Sequence, residues 1–140
     1  MNPDLTNAKS TLSAESLTCV LCRDDKVFKS SEKGISPLIK WLESGDDFKG
    51  FSAADKVVGK GAAYLYVLLG IKSLYAAVLS KSAKEVLNRF GIEVFYDENP
   101  DRILNRDKTG FCPIESAVTD IDTPTEALIA IKKRLEELKK

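Results

Sequence analysis

The sequence predicts a single α/β domain with a mixed β-sheet, and three observations lead to this class. The chain has 140 residues, the usual length of one domain, and no repeat or Pro/Gly/Ser-rich linker divides it. Its middle alternates between helical and strand patterns, which is typical of parallel βαβ units. Near the N-terminus, two short strands flank a tight turn and must run antiparallel. We therefore expect residues 1–140 to form one domain around one sheet.

The first elements predicted are a helix over residues 4–13 and a β-hairpin. Residues 17–23 and 26–29 are rich in β-branched and apolar side chains, and the polar pair Asp24-Asp25 lies between them. Such a pattern predicts two antiparallel strands joined by a short turn.

The middle of the chain predicts the βαβ units. A short helix over residues 37–43 begins at a proline, and the longest helix is expected over residues 53–69. Because that second segment is apolar on most of its circumference, we expect it to be central and buried. A strand over residues 73–79, a helix over residues 82–90 and a strand over residues 92–96 follow.

Two helices are predicted at the C-terminal end. Pro113 begins a short one that ends near Asp120. The last helix has Thr123 as its N-cap, Pro124 at the first helical position and Glu126 at the third, and it extends to the C-terminus.

Composition excludes several classes of function. The chain contains no histidine, so mechanisms that pair histidine with serine, cysteine or a metal are excluded. Lys plus Arg and Asp plus Glu each number 21, so no net charge attracts nucleic acid. No secretory signal or bilayer-spanning segment is visible, so we expect a cytoplasmic protein without a membrane partner.

Cys19 and Cys22 form a C-x-x-C motif, which is typical of metal or redox sites. They fall within a predicted strand, however, where positions three apart point to opposite faces. We therefore interpret them as two core residues.

Two segments resemble a known family. They are FSAADKVVGK at residues 51–60 and NRDKTGFCPIE at residues 105–115. The chain resembles, over nearly its whole length, a small bacterial domain family of unknown function whose fold is similar to that of cytidine deaminases. The resemblance implies a three-layer α/β/α sandwich with a mixed sheet, and it implies a homodimer.

The resemblance does not extend to the zinc ligands. Zinc deaminases place His or Cys, any residue and Glu at the start of the buried helix, and Pro-Cys-x-x-Cys at the start of the next. Here the two positions carry the sequences SAAD at residues 52–55 and SKSA at residues 80–83. Since Asp55 alone cannot hold Zn²⁺, we expect no metal, no other cofactor and no zinc-dependent deamination.

The predicted start of the buried helix supplies the first candidate site. Asp55 with Lys56 and Lys60 could bind a small polar ligand, and Gly59 suits a close approach of backbone or ligand, as does Gly61. The alternative is structural. Ser52-x-x-Asp55 has the spacing of a capping box, and the lysines would then be solvated.

The start of the helix at Pro113 supplies the second candidate. Cys112 is expected at its N-cap, beside unpaired amides that stabilise a thiolate. Glu115 would either complete the cap or act as an acid/base partner of the thiol. The alternative is an inert buried cysteine.

The loop before Cys112 contains Asn105 and Arg106, which could hold an anion such as phosphate. It lacks any Walker or Rossmann glycine pattern, so an ordinary charged surface loop is an equal interpretation.

Two hypotheses of function follow. In the first, the protein binds or acts on a nucleotide-like small molecule without zinc. Asp55, Cys112 and Glu115 are then the catalytic candidates, and the ligand contacts are Ser52, Lys56, Gly59, Lys60, Asn105 and Arg106. In the second, it is a catalytically inactive subunit for interaction or regulation, with a filled pocket and a large apolar surface patch.

Overall fold

The computed structural model describes residues 1–32, 34–103 and 112–139. In these ranges the helices are α1 to α6 and the strands β1 to β5. In chain order they are α1 (Pro3–Ala14), β1 (Cys19–Arg23), β2 (Lys26–Ser30), α2 (Ser36–Glu43), β3 (Ser52–Val58), α3 (Lys60–Leu69), β4 (Ser73–Leu79), α4 (Lys81–Arg89), β5 (Glu93–Glu98), α5 (Pro113–Val118) and α6 (Pro124–Leu138).

The strands form one five-stranded sheet in the order β2-β1-β3-β4-β5. Strand β1 runs antiparallel to both β2 and β3, whereas β3, β4 and β5 are parallel. The register places Cys19 of β1 and Ala76 of β4 on either side of Asp55 of β3. The predicted hairpin and the mixed sheet are therefore confirmed.

Helices cover both faces of the sheet. On one face, α1 packs Leu5, Ala8 and Leu12 against a small core that includes Val20 and Cys22. On the other face, α3 lies at the centre of the larger core, with α2, α4, α5 and α6 around it. The architecture is the three-layer α/β/α sandwich that the resemblance implies.

The predicted helix over residues 53–69 is wrong in its first third. Residues Ser52–Val58 form β3, the strand between β1 and β4, and the helix begins only at Lys60. Ala and Lys are good helix formers, but pairing with strands on both sides outweighs that preference. Gly59 has an extended backbone and separates the two elements. The longest helix is in fact α6, with 15 residues.

The remaining part of that helix behaves as expected. Seven of the ten residues of α3 are buried, and Gly70 ends the helix in the left-handed conformation. Thr123 is the N-cap of α6, since its side chain accepts a hydrogen bond from the amide of Glu126, as predicted.

The two cysteines of the C-x-x-C motif lie on opposite faces of β1. Cys19 belongs to the larger core and Cys22 to the smaller one, and both are buried. Their interpretation as separate core residues is confirmed.

Among the described helices, none is long and apolar enough to cross a membrane.

Candidate functional site

A cavity of about 360 Å³ lies between the start of α3 and the start of α5, beside β3. Apolar side chains form much of its wall, namely Ile35, Leu38, Val57, Ala62, Ile103 and Ile114. The polar side chains at its wall include Asp55, Lys56, Cys112 and Glu115. The cavity thus brings together four residues that the sequence singled out from segments far apart in the chain.

Asp55 is the most strongly perturbed carboxyl group at this cavity. It lies half-buried on β3 and points toward α3, where its Oδ2 accepts a hydrogen bond of 2.6 Å from the hydroxyl of Tyr66. Burial raises the pKa of Asp55 to about 7, although hydrogen bonds from Tyr66 and from the amides of Val57 and Lys56 act in the opposite direction. Near neutral pH this carboxyl can both donate and accept a proton.

Glu115 serves the start of α3 instead of its own helix. Its Oε1 accepts a hydrogen bond of 2.7 Å from the amide of Lys60, the first residue of α3, and it also interacts with the amide of Gly61. Burial raises the pKa of Glu115, and these amides together with the Lys60 ammonium partly offset that effect. We expected Glu115 either to cap its own helix or to act as a partner of the Cys112 thiol. In the structure it caps α3 instead.

Gly59 makes the approach of Glu115 possible. A Cβ atom at this position would lie 1.5 Å from Glu115 Oε1. The carboxylate would have to move away to relieve this clash. Gly61 has a similar role in packing, because a Cβ there would lie 2.9 Å from the Ile114 side chain. The close approaches expected at these glycines are therefore made by two side chains of α5, with Glu115 at Gly59 and Ile114 at Gly61.

Cys112 is the N-cap residue of α5, as predicted, and its side chain makes no capping hydrogen bond. The thiol group is half-buried at the cavity wall. Lys56 is exposed on β3, and Lys60 donates a hydrogen bond of 3.0 Å from Nζ to the carbonyl of Thr119. Lys56 and Lys60 are not one turn apart on a helix, since only Lys60 is helical.

Ser52 lies away from the cavity, at the first residue of β3. Its hydroxyl donates to Asn2 Oδ1 at 3.2 Å and shares a hydrogen bond of 2.7 Å with the hydroxyl of Ser73. The predicted capping box of Ser52 and Asp55 is wrong, because both residues belong to a strand. Ser52 holds the N-cap of α1 against the sheet.

The two loop candidates, Asn105 and Arg106, lie outside the described residues. The cavity wall includes Ile103 and Cys112, the described residues on either side of that segment.

A second, more polar cavity of about 330 Å³ lies beside the first and shares Ile103 and Glu115 with it. Its wall contains Lys60, Ser80 and Ser82, from the starts of α3 and α4. Ser80 is the N-cap of α4, and its hydroxyl accepts a hydrogen bond from the amide of Ala83.

These helix starts do not fit a zinc ion. Because α3 begins at Lys60, the residues at its start are Gly59, Lys60 and Gly61, and not Ser52 to Asp55 as the sequence suggested. In the described part of the chain, no three Cys, Asp or Glu side chains are close enough together to hold a metal ion.

Tyr66 and Cys19 were not recognised as neighbours of the site from the sequence. The sulfur of Cys19 lies 2.9 Å from the Tyr66 hydroxyl oxygen, so the two residues continue the hydrogen-bonded chain that begins at Asp55. A buried tyrosine needs a hydrogen-bond partner, which is a signal in itself. The partner of Tyr66 lies on β3, a strand that the sequence does not predict.

The fold and cavity define an α/β sandwich protein whose described residues provide no set of zinc ligands. The chain belongs to the TM1506 family, a domain of unknown function (DUF1893), whose family model matches residues 7–135. It is similar to the DUF1893 family protein TM1506 from Thermotoga maritima, with a TM-score of 0.85 and 27% identity. That match covers 98% of this chain and 92% of the other.

A second similar structure is dCMP deaminase from the cyanophage S-TIM5 in its apo form, with a TM-score of 0.45 and 14% identity. The match covers 71% of this chain and 99% of that one. No curated protein matches the sequence.

Proposed function

We propose that the protein binds a nucleotide-like small molecule in the cavity between α3 and α5, with Asp55 as its polar anchor. The observation that carries this proposal is a carboxyl group with a pKa of about 7 at the wall of a largely apolar cavity. Perturbed titratable groups in clefts are characteristic of binding and catalytic sites.

The size and chemistry of the cavity suit a flat heterocycle. A volume of about 360 Å³ falls in the range of small-molecule pockets. Ile35, Leu38, Ile103 and Ile114 line its wall and would offer apolar contacts to the ring. The Asp55 carboxyl would pair with a polar edge that contains both a donor and an acceptor, as nucleobases do.

The same carboxyl suits proton transfer if the ligand reacts. A general acid or base works best when its pKa lies near the working pH, and that of Asp55 does. Cys112, at the same wall, would contact the ligand or act as a nucleophile. Lys56, together with Asn105 and Arg106, would contact an anionic group of the ligand, while Glu115 holds the start of α3 in place.

The alternative is an inactive subunit for interaction or regulation. That hypothesis requires a filled or closed pocket, whereas the residues that the structure describes leave the cavity unfilled. The cavity therefore favours ligand binding.

The test has two parts. Native mass spectrometry of the protein purified from its own host should reveal a mass excess that is lost on denaturation. Calorimetric titration with nucleobases, nucleosides and nucleoside monophosphates should then give binding that Asp55→Asn weakens at least tenfold. Asp46→Asn is the matched control, since Asp46 is exposed in the loop after α2 and lies away from the cavity wall.

Two results would count against the proposal. One is a wild-type protein that binds none of these compounds and carries no small molecule. The other is an Asp55→Asn variant that binds a compound with the same affinity as the Asp46→Asn variant.

A further inference from the structure

Two buried side chains lie behind Asp55 on the side away from the cavity. Tyr66 of α3 donates its hydroxyl hydrogen to Asp55 Oδ2 at 2.6 Å, and the Cys19 sulfur lies 2.9 Å from the same hydroxyl oxygen. Tyr66 is completely buried and Cys19 is 3% exposed, and neither lines the cavity. Asp55 therefore lies between an open cavity and a closed hydrogen-bonded chain.

The chain can serve both protonation states of Asp55. When the carboxyl is charged, Cys19 donates its thiol hydrogen to Tyr66, and Tyr66 donates to Asp55. When a proton is held on Oδ2, both bonds can reverse, so that Asp55 donates to Tyr66 and Tyr66 donates to the Cys19 sulfur. Each group keeps its own hydrogen, and the oxygen atoms of the chain keep a hydrogen-bond partner in either state.

The protonation states of the supporting groups agree with this reading. Burial raises the pKa of Tyr66 and of Cys19 well above their usual values, and the charge of Asp55 raises both further. Both groups therefore keep their hydrogens at neutral pH, and Asp55 is the member of the chain that titrates there.

We propose that Tyr66, supported by Cys19, is a positioning residue for Asp55 that fixes its carboxyl at the cavity wall and stabilises its charged form. This inference deepens the proposed function and rests on it, because a fixed carboxyl matters only if a ligand meets it there. The other titratable groups among the described residues of the cavity wall are Lys56, Cys112 and Glu115.

The test follows the titration of Asp55 in the free protein, by NMR of its carbon-13-labelled carboxyl group. In Tyr66→Phe, which loses only the hydroxyl, the midpoint should rise by on the order of one pH unit. This is the size expected for loss of one hydrogen bond to a charged group. The matched control is Tyr64→Phe, because Tyr64 is equally buried on the same helix and donates its hydroxyl to the carbonyl of Ile121. A midpoint in Tyr66→Phe equal to that in Tyr64→Phe would overturn the proposal.

A second pair of variants tests the contact between Cys19 and Tyr66, and it can be used if Tyr66→Phe does not fold. Cys19→Ala removes the donor to Tyr66 and the direct interaction of Cys19 with Asp55, and it should raise the midpoint by a smaller amount, since that direct interaction is the weakest of those that lower the pKa of Asp55. Cys19→Ser restores a donor and should return the midpoint toward the wild-type value. Equal midpoints in Cys19→Ala and wild type would argue against any role for Cys19.

The two proposals fail separately, because the titration needs no ligand. A raised midpoint in Tyr66→Phe without binding of any nucleotide-like compound would keep the positioning role and remove the proposed function. If ligand binding depends on Asp55 but the midpoint is unchanged in Tyr66→Phe, the proposed function is kept and the positioning role of Tyr66 is lost.

Discussion

Glu115 caps a helix that begins 55 residues earlier in the chain, through a hydrogen bond of 2.7 Å from the amide of Lys60 to its Oε1. The first amides of a helix have no partner within it, and the N-cap of α3 is Gly59, which has no side chain to supply one. The carboxylate of α5 takes that role. It also fixes the distance between the two helix starts that bound the cavity.

Gly59→Ala should destabilise the protein, because Gly59 is buried against Glu115. Its Cβ would lie 1.5 Å from Glu115 Oε1, so the carboxylate must leave and the start of α3 loses its cap. We expect the free energy of unfolding, measured with urea, to fall by about 1–3 kcal/mol. The double variant Gly59→Ala/Glu115→Ala is the control. Because the clash is then absent, its loss should be well below the sum of the two single losses, and strict additivity would contradict this account.

Asp55→Asn should stabilise the protein more at alkaline than at acidic pH. Because burial raises the pKa of Asp55 to about 7, the folded protein holds this proton more tightly than the unfolded chain does. The stability that this provides is present at low pH and is lost as the pH rises from the unfolded pKa through about 7. Between about pH 5 and about pH 8, the gain in unfolding free energy from the substitution should therefore grow by on the order of 2 kcal/mol.

Urea denaturation of wild type, Asp55→Asn and Asp46→Asn at both pH values measures this difference. Asp46→Asn is the control, because Asp46 is exposed in the loop after α2. A gain from Asp55→Asn that is the same at both values would show that Asp55 titrates normally.

The three cysteines should differ in reactivity toward iodoacetamide. Cys112 is half-buried at the cavity wall, whereas Cys19 and Cys22 are buried. Burial also raises the pKa of both buried thiols, which lowers their thiolate fraction further. Mass spectrometry should find one alkyl group on the native protein, at Cys112, and all three cysteines modified after unfolding. Cys112→Ser should abolish the native reaction, and early modification of Cys19 would contradict the core placement.

Ser52→Ala should reduce stability without affecting ligand binding. Ser52 shares hydrogen bonds with Asn2 and Ser73 that attach the start of α1 to the sheet, and it lies away from the cavity. Loss of this buried hydroxyl leaves two partners incompletely satisfied, so we expect a loss of about 1–2 kcal/mol. Calorimetry with any compound that binds the wild type should give an unchanged affinity. A weaker affinity would instead place Ser52 in the site.

Local patterns were sufficient for most of the fold. The hairpin, β4, β5 and the four helices α1, α2, α4 and α6 follow from apolar periodicity, proline and glycine positions and the cap at Thr123. Strand β3 did not follow, because Ala and Lys favour a helix and Ala, Asp and Lys are all depleted in strands, so its conformation depends on pairing with β1 and β4. The two valines before Gly59 were the available signal for a strand that ends there.

The sequence predicts which residues belong to the candidate site, but it does not predict the contacts between them. Asp55, Gly59, Cys112 and Glu115 were singled out individually and meet at one cavity. The bond between Glu115 and the start of α3, and the chain from Asp55 to Tyr66, join residues on different elements. Spacing within a single element cannot reveal such partners.

The two outer strands of the sheet carry charges of opposite sign. Lys26 and Lys29 lie on β2, and Glu93, Asp97 and Glu98 lie on β5. Two copies joined symmetrically along either outer strand would bring like charges together, which disfavours such pairing. These charges therefore protect both edges of the sheet against the addition of a strand from a second copy.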